Sequence, residues 1–149
     1  MNTIKTLIVV GSSVLVGILY ILPPIIIKQQ FETKQQPFVL NYTVHRDELI
    51  YMNRAREIYD GHWPPIDLYF DSQGKTVLNA IPSLIMSLFL TMFNGNVIAS
   101  YLTATFIFSS LIFFLFFLLS HILFNKSFVW SLLFAYIGIL TPIALRILN

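Results

Sequence analysis

Four long stretches without Asp, Glu, Lys or Arg dominate this sequence. They cover residues 6–27, 76–93, 97–124 and 128–145. As a helix, the first would be about 33 Å long at ~1.5 Å per residue, which matches the ~30 Å hydrocarbon core of a bilayer. The apolar content of 56% and the mean hydropathy of +0.75 also exceed those of soluble domains. We therefore predict an all-α integral membrane protein with about four transmembrane helices.

Prolines and the sequence around the first and last spans indicate where these helices end. Pro23 and Pro24 are predicted to kink or end the first helix near its far face, and Pro142 to interrupt the last. The first stretch is longer than the apolar region of a signal peptide and lacks a small-x-small cleavage site, which favours a membrane anchor. The chain finishes at "LRILN" without a polar tail. We therefore expect it to be the N-terminal part of a longer polytopic protein.

Charge is concentrated in the loop between the first two spans, residues 28–75. All seven acidic residues lie between Glu32 and Asp71, and six of the nine basic residues lie between Lys28 and Lys75. The absence of cysteine excludes disulfides and thiolate metal sites. No basic block with interleaved aromatics is present, so a nucleic-acid partner is not expected. Polar chemistry is thus predicted for the loop, beside membrane lipid.

Within this loop, residues 47–59 have the pattern of an amphipathic helix. Asp47 can cap its start, and Asp60-Gly61 supplies a stop with glycine just past the end. Trp63 follows as an aromatic residue typical of a membrane interface. At about 100° per residue, one face is apolar and the other polar. The apolar face holds Tyr51, Met52, Ala55, Ile58 and Tyr59, and the polar face holds Asn53, Arg56, Glu57 and Asp60. We predict a helix that lies along the membrane interface.

Two acidic residues at the start of this helix are candidates for catalysis. Asp47 falls on the apolar face, where partial desolvation would raise the pKa of its carboxyl and suit it to accept a proton. The alternative is a plain helix cap. Glu48 flanks the apolar face and could supply a second carboxylate to a metal or a sugar hydroxyl. Its alternative role is a first-turn acid favoured by the helix dipole.

Three basic residues of the loop have two interpretations each. Arg54 and Arg56 could bind phosphate through paired N–H groups, or they could be solvated arginines that face lipid headgroups. Lys75 could be a phosphate ligand, or a lysine that extends from the edge of the second span to the membrane surface. The sequence leaves these alternatives open.

The residues from Asp47 to Lys75 resemble the first loop of the GT-C superfamily of integral-membrane glycosyltransferases. The likeness is strongest to the lipid A aminoarabinose transferases and to enzymes similar to protein O-mannosyltransferases. Its residues are Asp47-Glu48, Tyr51, Arg56-Glu57, Gly61, Trp63, Tyr69-Phe70-Asp71 and the lysine before the second span. The sequence departs from the pattern at His62, where an acid is usual, and at Ser72-Gln73-Gly74, which separate Asp71 from Lys75.

This resemblance implies a sugar transferase that uses a polyprenyl-phosphate-linked donor. The acceptor would be a glycan, a lipid or a protein on the extracytoplasmic face of a plasma or inner membrane. Asp47 would act as general base in an inverting transfer, with Glu48 beside it. Tyr51, Arg56, Trp63 and Lys75 would bind substrate, and nearby cations or a divalent metal would stabilise the leaving phosphate. Family members have about a dozen spans, so this chain alone is expected to be inactive.

Two points stay open at this stage. Lys28, Lys34 and Lys75 lie on the loop side, which Lys126 would share, and Lys5 and Arg146 lie on the other. This count favours a cytoplasmic loop, whereas the resemblance implies an extracytoplasmic one. The alternative to an enzyme is a small polytopic membrane protein, a subunit or scaffold, whose interfacial helix docks a partner.

Overall fold

In a computed structural model of the chain, the described residues form α-helices and no strand. They are residues 2–36, 38, 46–63, 65, 80–125 and 127–148, without the side chains of 46–50 and 142–148. The helices are α1 (Thr3–Thr33), α2 (Arg46–Tyr59), α3 (Ile81–Met92), α4 (Val97–Leu123) and α5 (Phe128–Leu148). The prediction of an all-α chain is confirmed for these residues. The chain divides into two compact units: unit 1 is Met1–Ile21 with Thr105–Asn149, and unit 2 is Leu22–Ala104.

Two helices are long and apolar enough to cross a membrane. They are α1, with 31 residues, and α4, with 27 residues. They cover the spans predicted over 6–27 and 97–124. However, α1 continues through Pro23 and Pro24 to Thr33, so the alternative that these prolines end the helix is wrong. Each proline removes a backbone donor and crowds the carbonyl four residues earlier, yet the helix continues past both. An exposed ion pair between Lys28 Nζ and Glu32 Oε1, at 2.9 Å, lies in this extension.

The other two predicted spans differ from each other. The last helix, α5, covers 128–145 and passes through Pro142, so the predicted interruption is absent. By contrast, α3 has only 12 residues, with Pro82 in its first turn, and is about 18 Å long at ~1.5 Å per residue. The described part of the span predicted over 76–93 contains this helix, and residues 76–79 lie outside the described residues, so the span stays a prediction.

Unit 1 packs α1, α4 and α5 around a small apolar core. Each helix places two residues in it: Val9 and Val16 from α1, Phe113 and Phe117 from α4, and Ala135 and Ile139 from α5. Phe113 also contacts the Tyr136 ring, with the ring centroids 4.8 Å apart. Since two of the six core side chains are phenylalanines of α4, the aromatic residues of this helix act as packing surface.

Gly17 of α1 lies in close contact with α4. A Cβ atom at this position would lie 2.3 Å from Ser110 Oγ and 2.7 Å from a ring carbon of Phe106. Real Cβ atoms essentially never come so near to other heavy atoms. The α1–α4 contact therefore requires glycine. Gly11, one and a half turns earlier in α1, has nothing within 4 Å of the same hypothetical atom.

Two buried serine hydroxyls of these helices are satisfied locally, whereas the buried Ser110 Oγ has no hydrogen-bond partner among the described residues. Ser13 Oγ donates to the Val9 carbonyl at 2.9 Å, and Ser120 Oγ donates to the Phe116 carbonyl at 2.6 Å. Such bonds to the carbonyl four residues earlier let a buried hydroxyl avoid the cost of an unmade hydrogen bond in an apolar environment. These two serines are thus compatible with a membrane-embedded bundle.

Substitution of Gly17 by alanine should weaken unit 1 specifically. We expect Gly17→Ala to cost about 1–3 kcal/mol through overpacking. Gly11→Ala should be neutral or slightly stabilising, because alanine has the higher helix propensity. Thermal unfolding of both variants in the same detergent measures the difference. Equal midpoints would contradict the close contact.

Candidate functional site

The helix predicted within the loop is present as α2, and its end is formed as expected. Gly61 has φ +91°, and its N–H donates to the Ile58 carbonyl at 3.1 Å. His62 N–H donates to the Glu57 carbonyl at 2.9 Å. These two bonds make a Schellman motif, in which glycine takes the left-handed position after the helix. The stop signal read from Asp60-Gly61 is therefore confirmed.

The start of α2 lies one residue earlier than predicted. The helix begins at Arg46, so Asp47 is in its first turn rather than at its cap. Glu48 follows in the same turn, and the side chains of both acids lie outside the described residues. The first turn exposes free backbone N–H groups, so a carboxylate is still favoured there by the helix dipole.

Burial along α2 follows the predicted amphipathic pattern. Ala55 and Met52 are buried, and Tyr51, Ile58 and Tyr59 are half-buried. Exposed positions are Asn53, Arg56 and Asp60, whereas Glu57 is half-buried. In unit 2 the helix packs against α3. By helical register, the backbone of Asp47 belongs to the buried face.

Arg54 is the functional candidate whose environment the sequence did not reveal. Its side chain is 1% exposed, which makes it one of the largest fully buried side chains among the described residues. A solvated or headgroup-facing arginine is therefore the wrong interpretation. Arg54 follows Asp47 by seven residues, two helical turns, so the two Cα positions differ by only about 20° around the helix. The same face of α2 thus carries an acid in the first turn and a buried cation further along.

Arg56, the predicted phosphate ligand, is exposed and contacts other residues of unit 2. Its Nε lies 3.0 Å from Asp60 Oδ2, and its Nη1 donates to the Gly95 carbonyl at 3.3 Å. The guanidinium also lies 5.0 Å from the centroid of the Tyr59 ring. The contact with Gly95 joins α2 to the turn after α3, whereas the pair with Asp60 is local to the end of α2. Binding of phosphate by Arg56 stays a prediction.

The turn that receives Arg56 is built by two residues with positive φ. Asn94 has φ 51° and Gly95 has φ 78°. Gly95 N–H donates to the Leu90 carbonyl at 2.7 Å and closes α3. A Cβ at Gly95 would lie 3.0 Å from Arg56 Nη1. Asn96 Oδ1 then accepts from the Ala99 N–H at 3.1 Å and caps α4.

The remaining predicted site residues are not brought together by the described structure. Tyr51 is half-buried on α2, and Trp63 is 64% exposed just after the Schellman motif. Lys75 lies outside the described residues. Within the described part of the chain, no three His, Cys, Asp or Glu side chains gather as a metal would require. The described residues thus offer two aromatic side chains and one buried cation on or next to α2.

Truncation should affect the two arginines of α2 unequally. We expect Arg54→Ala to destabilise by on the order of 2–5 kcal/mol, because it empties a fully buried site. Arg56→Ala should cost less than about 1 kcal/mol, since its ion pair is exposed. Amide hydrogen exchange along α2 measures both losses of stability. Equal loss of protection in the two variants would contradict the burial of Arg54.

Comparisons with protein-family models, curated proteins and solved structures find no match to this chain. Functional inference therefore rests on the residues of α2 and on the contacts that hold this helix.

Proposed function

We propose that this chain supplies the first helices of a GT-C-type membrane glycosyltransferase, which transfers a sugar from a polyprenyl-phosphate donor to an acceptor outside the cytoplasm. The observation that supports it best is the placement of Asp47-Glu48. These acids stand in the first turn of α2, an amphipathic helix that follows the membrane-spanning α1. A base for this reaction is needed near the membrane surface, where a lipid-linked donor presents its sugar.

In the proposed reaction, Asp47 removes the proton from the acceptor hydroxyl as its oxygen attacks the anomeric carbon. The bond between that carbon and the phosphate oxygen breaks, and polyprenyl phosphate leaves with the electron pair. The configuration at the anomeric carbon inverts because attack and departure occur on opposite faces. General-base assistance of this kind contributes about 10²–10⁴-fold in rate.

The charge that develops on the leaving phosphate requires a cation nearby. Arg54 is the described cation most suited to this, because it is buried and lies two turns along α2 on the same face as Asp47. A buried, permanently charged guanidinium acts in a low-dielectric environment, where its attraction for phosphate is stronger than in water. Arg56, with its contacts to Asp60 and Gly95, would instead hold α2 in place.

The surface of the described chain suits an apolar donor and a sugar. Large apolar side chains cover the exposed parts of α1 and α4, for example Leu15 and Leu115. A polyprenyl chain dissolved in the bilayer can approach such a surface without exposing polar groups. The exposed indole of Trp63 lies just past α2, where an aromatic face can pack against the donor or the acceptor.

The role of Asp47 is tested by comparing the two aspartates at opposite ends of α2. Asp47→Asn should lower sugar transfer by at least about 10²-fold, because asparagine cannot take the proton. Asp60→Asn removes the same charge from an exposed position and should leave transfer within a few-fold of the wild type. The measurement is consumption of polyprenyl-phosphate-linked sugar in membranes that contain the complete protein, followed by mass spectrometry.

Membrane insertion of each variant is checked by its resistance to carbonate extraction. Unchanged transfer in an inserted Asp47→Asn protein would remove Asp47 as the base. An absence of any donor consumption by the wild type, across pentose and hexose donors, would count against the glycosyltransferase itself.

A further inference from the structure

The contacts within unit 1 fix the directions of its three helices. At one end, Lys5 Nζ of α1 lies 5.5 Å from the centroid of the Phe128 ring, at the start of α5. Further along, the Tyr20 hydroxyl donates to the Ile139 carbonyl at 2.7 Å. Gly17, near the point where α1 leaves unit 1, lies against Phe106, near the point where α4 enters it. Hence α1 runs parallel to α5 and antiparallel to α4.

This arrangement constrains the chain between α1 and α4. The chain leaves unit 1 after Ile21 and returns at Thr105, at the same end of the bundle. A single crossing by α3 would require α1 and α4 to run in the same direction, which is opposite to what the contacts give. The segment between α1 and α4 therefore makes no net crossing of the membrane.

The dimensions of α3 lead to the same conclusion. Its 12 residues reach about 18 Å, well short of a ~30 Å hydrocarbon core. The helix is closed at its end by the turn at Asn94 and Gly95. Ser100, in the first turn of α4, is buried against the end of α3. Its Oγ lies 2.7 Å from the Asn96 carbonyl oxygen and 3.1 Å from the Phe89 carbonyl oxygen, and its single proton is shared between them.

The two faces of α3 are reversed relative to a helix of a water-soluble protein. Its buried face contains Ser83, Ser87 and Leu90. Its exposed face is a stripe of large apolar side chains at helical spacing: Ile81, Leu84, Ile85, Leu88 and Met92, between 37% and 71% exposed. The helix has no charged residue. Such a stripe in contact with water would be strongly unfavourable, whereas in contact with acyl chains it is not.

We infer that α3 is a non-spanning helix that lies in the membrane interface, with the apolar stripe from Ile81 to Met92 in contact with the acyl chains of one leaflet. That leaflet is the one on the side of loop 28–75. Lipid is the occupant because the stripe is apolar throughout and is joined by a short turn to α4, which is long and apolar enough to cross a membrane. Within unit 2, α2 packs on α3, so the exposed apolar stripe of α3 lies on the surface of that unit.

Single-cysteine labelling tests the sidedness, since the chain has no cysteine of its own. Asn94 and Asn125 are a matched pair, because both are exposed and have φ 51° and 49°. A third cysteine at Gln36, an exposed position after α1, marks the loop side. In sealed vesicles, a membrane-impermeant maleimide should label Asn94→Cys from the same side as Gln36→Cys, and Asn125→Cys from the opposite side. The reverse assignment of the two asparagines would overturn the inference.

Spin-label depth tests the contact with lipid. Ile85 is at the middle of residues 76–93, and Leu111 is near the middle of α4; both are exposed. In liposomes, a nitroxide at Ile85→Cys should lie about 5–10 Å into the bilayer, whereas one at Leu111→Cys should lie near the centre. Equal depth at the two positions would mean that α3 spans. A label at Ile85 accessible only to water-soluble relaxants would exclude the lipid contact.

Both experiments are independent of glycosyl transfer, because they report only the position of the chain in the bilayer. A failed transfer assay would therefore leave this inference intact.

Discussion

The close contact between α1 and α4 at Gly17 is the constraint on which the rest of the structure depends. It exists because a glycine lets the backbone of α1 approach Phe106 and Ser110. In a membrane, helices have no hydrophobic driving force between them, so van der Waals contact of this kind supplies much of the association energy. The contact also fixes α4 antiparallel to α1.

The geometry of the candidate site depends on the contacts that hold α2. The acids at the start of α2 belong to a helix held at its other end by Arg56, which reaches the Gly95 carbonyl, and terminated by Gly61. Contacts at one end of a short amphipathic helix fix which of its faces is buried. Asp47 and Arg54, whose positions share one face, can act on the same substrate only if that orientation is fixed. Thus the turns at Gly61 and Gly95, which have no reactive side chains, position the residues of α2 that could react with a substrate.

Features with local causes could be predicted from the sequence. The presence of α1, the bounds of α4, the amphipathic faces of α2 and the stop at Gly61 depend on periodicity and on single-residue conformational preferences. The features that could not be predicted depend on contacts between distant residues. Gly17 and Phe106 are far apart in the sequence, so no helical pattern indicates that they meet. The burial of Arg54 likewise does not follow from the helical pattern of α2, which gives the face of a residue but not what packs against it.

The direction of the helices in unit 1 is the central structural claim, and one distance tests it most directly. Spin labels at Lys5→Cys and Ser127→Cys in the reconstituted protein report the separation of the start of α1 from the start of α5. The contact between Lys5 and Phe128 predicts a separation well below the ~30 Å thickness of the hydrocarbon core. A separation equal to that thickness or greater would place the two positions on opposite sides of the membrane. It would contradict both the antiparallel pairing of α1 with α4 and the interfacial position of α3.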